Sequence, residues 1–418
     1  MLVNTPNLNS ADTAWMLIST ALVLMMTPAL GFFYGGMVRT KNTLNTLMMS
    51  FISLGFVGLA WALLGYSLAF GKGCSWLGGL EFLFLKDVGL SAQGTIPHAL
   101  FMAYQATFAI ITAALISGAI VERMRFTAYI VFITLWMLIV YAPVAHWVWG
   151  GGWLSTLGAL DFAGGTVVHI NAAAAAVVTA TLLGARKDFA RLAILPQNVP
   201  FTLLGTGLLW LGWFGFNAGS ALAANGIAGL AFVNTMLAPM GTLVAWTTLD
   251  LMRTRKVTAI GAATGIVVGL VAITPAAGFV SPLSAIVLGL LAAFPSYYAL
   301  LWRARTRLDD SLDVLAAHGV GGVFGALMTG VLADKAWNGV GDGLLHGNPK
   351  QLWIQFVACA ATVAYSGIAT FILVKLIGTV FQLKASDRAQ GVGMDVTQHG
   401  EEAYARGEGA VLLPTEGA

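Results

Sequence analysis

Along most of this chain the polar residues stand in short clusters. Between them lie runs of about 20 mostly apolar residues, the length that carries an α-helix across a bilayer. Eleven such runs can be drawn, near 13–35, 43–70, 98–120, 127–147, 165–184, 200–220, 228–251, 258–278, 282–302, 313–333 and 352–382. The eighth and ninth are separated only by the Gly278–Pro282 region. The pattern predicts an all-α polytopic membrane protein with eleven transmembrane helices.

Charge supplies an orientation. An odd number of spans puts the termini on opposite sides. With the N-terminus outside, the cytoplasmic connections hold Arg39 and Lys41, Arg123 and Arg125, then Arg186, Lys187 and Arg191. They go on to hold Arg253, Arg255 and Lys256, and Arg303, Arg305 and Arg307, while the tail adds Lys384, Arg388 and Arg406. Lys72, Lys86, Lys335 and Lys350 fall outside, and Lys375 lies within the last span. Sixteen of the 21 Lys and Arg are thus cytoplasmic, as the positive-inside rule requires. A missed or extra span would scramble the alternation, so the charges support eleven.

Spans one to five and six to ten are expected to form two halves of opposite topology, a 5+5 inverted pseudo-repeat. The fifth span carries His169 in GGTVVHINAAAA and the tenth carries His318 in AAHGVGGVFGAL, so each half ends in a helix with a histidine followed by small residues. The long eleventh span is left unpaired and has length to cross with tilt. Residues 1–383 read as a transmembrane domain and 384–418 as a polar cytoplasmic regulatory tail, whose end, GEGAVLLPTEGA, reads as disordered.

Composition agrees. Of 418 residues, 58% are hydrophobic and 9% charged, against roughly 25% charged in a soluble domain. The mean hydropathy is +0.82. The 50 glycines fit helices that approach closely in a bundle. A net charge of +3 leaves no nucleic-acid footprint. The N-terminus has no basic region and no cleavage site, so the first apolar run is read as the first span rather than a signal peptide. Cys74 and Cys359, one in an external loop and one in a span, are not expected to pair, and no metal or redox framework can be built from them.

Histidine inside a span marks a functional site by default. The bland reading is a neutral ring bonded to a backbone carbonyl. Two histidines at matching places, each beside small residues that let helices approach, weaken that reading. A bare charge is costly in low dielectric, so both rings are expected to be neutral. Two neutral imidazoles can share one N–H and still offer an acceptor to a passing donor. Asp161, eight residues before His169, is read either as an anion that binds substrate or, preferred, as an anchor at the start of the fifth helix, where the helix dipole favours it. Asp313, before His318, carries the same ambiguity with a structural role favoured.

Aromatic residues crowd 146–153 (HWVWGGGW) and 210–220 (WLGWFGFNAGS). Most of these tryptophans suit an interfacial belt. Trp149, beside Gly150–Gly152, instead suggests a ring held against close-packed backbone, and beside a hydroxyl such as Ser220 it would attract a small cation. No phosphate loop, HExxH, GxSxG or CxxC is present, so no catalytic signature and no cofactor is expected.

The segments FYGGMVRTKN (33–42), AHWVWGGGWLSTLGALDFAGGTVVHIN (145–171), WLGWFGFNAGS (210–220) and HGVGGVFGAL (318–327) together resemble the Amt branch of the ammonium transporter (Amt/Rh) family, over most of the chain. The resemblance implies a homotrimer with one pore per subunit, carrying ammonium or ammonia. It implies that Trp149 and Ser220 form an outer recruitment site, that Phe108 and Phe216 form an aromatic gate below it, and that His169 and His318 form a twin-histidine pore centre. Asp161 matches the family aspartate needed for the recruitment site. Tyr104, which walls the vestibule, departs from the phenylalanine of many relatives. The segment ASDRAQGVGMDVTQHGEEAYA (385–405), including Asp387, Arg388, Gly391 and Tyr404, resembles the tail that supports closure by a trimeric PII-type signalling protein in bacteria.

The expected function is passage of ammonium by deprotonation outside, crossing of ammonia past the histidines and separate, electrogenic transfer of the proton, in the inner membrane of a bacterium. Three alternatives stand beside it. A sensor would normally carry a fused signalling domain, for which this tail is short. A neutral gas channel of Rh type lacks the tryptophan-rich outer site. A membrane enzyme or metal site on His169, His318 and Asp161 has too few converging ligands.

Overall fold

The computed structural model describes residues 7–404. Arg406 and the GEGAVLLPTEGA segment lie outside the described residues. Among the described residues there are eleven apolar helices of ten or more residues: α1 (Ser10–Met37), α2 (Thr40–Phe70), α3 (His98–Ile120), α4 (residues 126–148), α5 (Gly165–Leu183), α6 (Val199–Gly219), α7 (Gly226–Thr254), α8 (Ala259–Ile273), α9 (Pro282–Arg303), α10 (Leu315–Leu332) and α11 (Pro349–Val380). Two short helices follow, α12 (Asp387–Val392) and α13 (Met394–His399).

Ten of the eleven are long and apolar enough to cross a membrane. The exception is α8. The sequence predicted a run over 258–278, but the helix is 15 residues long and so rises only ~22 Å. Pro275 explains the stop: it has no N–H to continue the helical ladder, and the flanking Thr274 and Ala276 N–H groups bond instead three residues back, to the carbonyls of Val271 and Ile273. The segment continues as turns through Phe279.

Local chemistry starts the helices. The Asn9 side chain accepts the N–H groups of Ala11 and Asp12, Asn198 that of Phe201, Asn225 that of Ala228 and Ser281 that of Ser284. Proline occupies the first turn of α6, α9 and α11, where its missing N–H is no loss. Small residues set the packing distance. A Cβ at Gly289 would lie 2.0 Å from the Ala238 carbonyl oxygen, so α9 meets α7 backbone to backbone, and Thr242 donates to the Gly289 carbonyl at 2.6 Å. Helices α3 and α5 run through the interior, while α2, α9 and α11 keep much of their surface outward.

The connections α1–α2, α3–α4, α5–α6 and α9–α10 meet on one face in a buried ionic lattice. Arg186 donates to both Asp309 and Glu122, at 2.8 and 2.9 Å. Arg39 joins Glu122 at 2.9 Å and Asp188 at 2.7 Å. Arg123 donates to the Asp309 carbonyl and, at 2.7 Å, to Ser311. Burial opposes the charge on Glu122, but Arg186 and Arg39 outweigh it and hold its carboxyl below the usual range. The Asp309 carboxyl is likewise held low, burial being outweighed by Arg186 and Arg123.

The tail closes over this same face. The Ala385 N–H donates to the Arg123 carbonyl, and Arg125 N–H to that of Leu383. Asp395 accepts the N–H groups of Leu44 and Asn45 in the first α-helical turn of α2, at 3.0 and 2.8 Å, and the Met394 N–H reaches Asn42. Gln398 accepts from the Phe126 N–H where α4 begins, and Gln390 from Lys187.

Removing one partner of a buried ion pair typically costs about 3–5 kcal/mol, because the other charge is left buried. Arg186→Met strands Asp309 and part of Glu122, and is expected to lose stability of that order in thermal unfolding of the purified protein. Lys256→Met, at an exposed position, should stay within about 0.5 kcal/mol. Equal losses would mean that the lattice contributes nothing.

Candidate functional site

The two histidines lie on helices that begin in the same unusual way. Residues 165–170 and 315–320 form π-helical turns, and His169 and His318 sit within them. Such turns widen a helix locally and recur at functional sites. Each is preceded, eight residues before its histidine, by an aspartate that anchors the helix start. The Asp161 carboxylate accepts four backbone N–H groups, from Gly164, Gly165, Thr166 and Val167, at 2.7–3.1 Å. The Asp310 carboxylate accepts two, from Val314 and Leu315, at 3.1 and 2.7 Å. Asp310, which the sequence reading passed over, therefore holds the place it gave to Asp313. Asp313 instead pairs with Arg303, whose Nε donates to it at 2.8 Å.

The histidine rings meet edge to edge, close to a common plane. Their centroids are 5.2 Å apart and tilted by 24°, and the two Nδ1 atoms are 3.2 Å apart. Only one proton can lie between two such nitrogens. With both rings neutral, one ring then carries its hydrogen at Nδ1 and the other at Nε2. The pair therefore presents one acceptor and one donor nitrogen outward. His169 Nε2 has no hydrogen-bond partner in the structure. A face of the His169 ring stacks on Trp213, at 5.6 Å, whose Nε1 donates to Thr274.

Both rings line a narrow cavity whose remaining walls are apolar or aromatic: Met26, Leu30, Phe33, Ile111, Leu115, Val168, Leu209, Trp213, Phe216 and Val267. At one end it is closed by Phe108 and Phe216, stacked at 4.2 Å and 26°. Trp149 stands edge-on to Phe108 at 5.9 Å. The family resemblance implied that these residues lie together, and the fold places them within one column of rings beside the histidines.

Trp149 is positioned by backbone. Its Nε1 donates to the Asp161 carbonyl at 2.9 Å, so a single residue anchors α5 by its carboxylate and this indole by its main chain. The glycines after Trp149 have specific tasks: a Cβ at Gly150 would lie 2.0 Å from the Ala69 carbonyl oxygen, and Gly151 takes φ +84°. His146, not singled out in the sequence, contacts the Ala69 and Cys74 carbonyls with its two ring nitrogens, at 2.9 and 2.8 Å. It thereby ties the end of α4 to the loop after α2. Trp147 and Trp153 do not reach the column. They cluster with the exposed Trp76, as interfacial tryptophans do.

Ser220 caps the end of α6. Its hydroxyl donates to the Phe216 carbonyl at 2.8 Å, which leaves the oxygen's lone pairs to accept. Tyr104 is fully buried, and its hydroxyl reaches the carbonyls of Gly215 and Phe216 and Ser220 Oγ, at 2.9, 3.0 and 3.3 Å. Its extra oxygen thus fixes the segment carrying Phe216 and Ser220. Among the described residues no group of three or more His, Cys, Asp or Glu is arranged to hold a metal. Cys74 and Cys359 are both free.

The tail residues singled out in the sequence lie apart from this column. The Gly391 carbonyl accepts from Lys41, and the Tyr404 hydroxyl stands 3.4 Å from Asn198 Nδ2. Asp387 and Arg388 lie in the first turn of α12, on its exposed side. Gln390, Asp395 and Gln398 bond to the connections and helix starts beneath the tail.

A bundle of membrane-length helices around a narrow, apolar, histidine-centred cavity defines a multi-pass membrane transport protein. The chain belongs to the ammonium transporter family, whose model matches residues 14–404. It is 47% identical over 398 residues to an ammonium transporter of Bacillus subtilis, covering 94% of this chain and 98% of that one. Among solved structures it is similar to Mep2 of Saccharomyces cerevisiae, with 35% identity, a TM-score of 0.86 and coverage of 91% of this chain and 88% of that one. It is also similar to a protein described as a sensor Amt protein, at 28% identity and a TM-score of 0.87, covering 93% and 98%. The family is one of transporters rather than enzymes.

Leaving a buried polar group unpaired costs about 1–3 kcal/mol each. Asp161→Ala orphans four N–H groups and Asp310→Ala two, so both are expected to lower the thermal midpoint, Asp161→Ala by more. The reverse order would mean that the number of anchored N–H groups does not set the strength of these helix starts.

Proposed function

We propose that this protein takes up ammonium and conducts it as ammonia through the histidine cavity, with the proton crossing separately so that transport is electrogenic. The observation that carries the reading is the Nδ1 contact of His169 and His318 in a cavity otherwise lined by hydrocarbon and aromatic rings.

The problem for such a protein is potassium, an ion of similar size. Ammonium can lose a proton and continue as a small neutral molecule; a metal ion cannot. In an apolar lumen the cost of a bare charge then falls only on the ion that cannot be neutralised. At the recruitment site the Trp149 face attracts the cation, the Ser220 oxygen accepts one of its N–H bonds, and the buried Asp161 adds its field. Phe108 and Phe216 exclude the hydrated ion. Deprotonation near this gate leaves ammonia, which is both donor and acceptor. It is matched by the acceptor and donor nitrogens of the histidine pair. The released proton travels through waters and the imidazoles; its return outside would instead make the flux neutral.

The positive-inside pattern supports eleven spans with the N-terminus outside and the C-terminus cytoplasmic, in a bacterial inner membrane. The paired aspartate–π-turn–histidine segments of α5 and α10 support a 5+5 inverted repeat with α11 unpaired. We take residues 1–383 as the conducting domain and 384–418 as a regulatory tail. The family resemblance supports a homotrimer and closure by a PII-type protein. Likeness to a sensor Amt protein supports a second reading, ammonium sensing, which the assay below separates.

An ammonium pulse on proteoliposomes is expected to evoke a saturable current that potassium does not evoke. In His169→Ala/His318→Ala the current should vanish or become permeable to potassium. No wild-type current, with lumenal pH still responding, would mean neutral conduction. Silence in both assays from protein that binds ammonium would favour the sensor.

Truncation at Ala385 removes the contacts of Asp395 and Gln390 and is expected to lower flux or abolish any response to a PII-type protein. Unchanged behaviour on both counts would make the tail dispensable.

A further inference from the structure

A ring that meets a cation has to be held in one place. The far end of the Trp149 indole is tied to the Asp161 carbonyl through Nε1. Its near end is the backbone that leaves α4, and that backbone is gathered around His146. The His146 carbonyl accepts the N–H groups of Gly150 and Gly152, at 3.0 and 2.9 Å. The Trp149 N–H bonds one residue earlier, to the Ala145 carbonyl at 2.8 Å.

The His146 ring, 3% exposed, ties this turn to the neighbouring wall. Its Nδ1 lies 2.9 Å from the Ala69 carbonyl oxygen and its Nε2 2.8 Å from that of Cys74. Both partners can only accept. Ala69 stands in the last turn of α2, where a carbonyl has no N–H of its own helix to take. A neutral imidazole carries hydrogen on one nitrogen and a lone pair on the other. Either tautomer would therefore set a lone pair against a carbonyl oxygen within hydrogen-bond distance. Only the imidazolium donates to both. A buried charge is costly unless it is hydrogen-bonded, and here both donors are met. Each bond is charge-assisted, and the ring lies in the last turn of α4, where the helix dipole favours a cation. Among the described residues no carboxylate pairs with the ring: Glu81, on the loop after α2, accepts the Lys72 N–H, and Asp161 holds the start of α5. The same loop takes two further donors from this segment, the Trp153 N–H at the Ser75 carbonyl and Trp147 Nε1 at the Trp76 carbonyl. A row of loop carbonyls thus grips residues 146–153.

We propose that His146 is a positioning residue for ammonium recruitment: as an imidazolium it fastens the end of α4 to the Ala69 and Cys74 carbonyls and so holds Trp149 where the cation is met. The inference rests on the recruitment role of Trp149 and adds the group that fixes it.

Two measurements on the full-length protein in liposomes test it. In nitrogen NMR of protein labelled with [15N]histidine, under the buffer conditions of the ammonium-pulse assay, both ring nitrogens of His146 should carry hydrogen. Its signal is the one broadened by a nitroxide on the exposed Cys74 thiol, so no variant at position 146 has to fold. In the ammonium-pulse assay, His146→Gln keeps one side-chain donor group and should raise the half-saturating ammonium concentration by about threefold to tenfold. His146→Leu, with no donor, should raise it further. In both variants half-saturation should change more than maximal current. A bare ring nitrogen on His146 overturns the proposal. So does unchanged half-saturation in the two variants, or a fall in maximal current alone, either of which would leave His146 as a structural tie only. Absence of current in the wild type would refute ammonium transport instead, and the NMR signal would still decide the charge on His146.

Discussion

The position of both histidines depends on the way a carboxylate satisfies the exposed N–H groups at a helix start. A helix that begins inside a protein in a bilayer cannot leave its first N–H groups to water. Asp161 takes four of them for α5, and Asp310 takes two for α10. Both helices then open with a π-turn, which rotates the following residue relative to an ordinary helix. The aspartate–histidine spacing of eight residues is the same in both, so each anchor sets the depth of its ring. With each ring's depth set by its own helix start, the two Nδ1 atoms stand 3.2 Å apart.

The same residue links this centre to the aromatic end. Because the Asp161 carbonyl takes the Trp149 indole, a shift of the α5 start would move both the histidine pair and the ring column beside it. Tyr104 couples the other wall in the same manner, through the carbonyls of Gly215 and Phe216 and the Ser220 hydroxyl. The opposite face is fixed by charge. Its lattice joins four connections, and Asp309, beside the anchor Asp310, belongs to it. The start of α10 is therefore tied to Arg186 at the end of α5. Tail contacts at Leu44, Phe126 and Lys187 reach the starts of α2 and α4 and the same α5–α6 connection. A change in tail docking thus has a short mechanical route to the helices that carry the histidines.

How much of this was legible in the sequence follows from how each feature is encoded. The apolar helices could be read because 20-residue apolar runs are a one-dimensional signal. The α8 end was misjudged because Pro275 stops the helix inside an apolar stretch, where hydropathy does not change. His169, His318 and Asp161 were visible because polar residues are rare in such runs. Asp310 was hidden beside Asp309 among arginines, in a segment read for orientation alone, although its spacing from His318 matches that of Asp161 from His169. Trp149 could be separated from its belt neighbours by the three glycines after it. His146 could not, because its partners are the backbone carbonyls of Ala69 and Cys74, about 70 positions away. The lattice also escaped, since pairing among Arg39, Glu122, Arg186 and Asp309 is decided by loop geometry.

Under the proposed function, these features divide the task of selectivity between two places. The aromatic end can attract any small monovalent cation, because a ring face and a hydroxyl oxygen do not separate ammonium from potassium well. Rejection must come below the Phe108–Phe216 pair, where the wall offers hydrocarbon and two imidazoles. A metal ion entering there would find at most one outward lone pair of the histidine pair, far short of its hydration shell. Ammonia would find an acceptor and a donor together. The pair therefore discriminates by proton chemistry rather than by diameter, and the apolar lining is as necessary to that filter as the histidines. A polar side chain added among Leu30, Ile111, Leu115 and Val267 would hydrate the passage and weaken the distinction even with both rings intact.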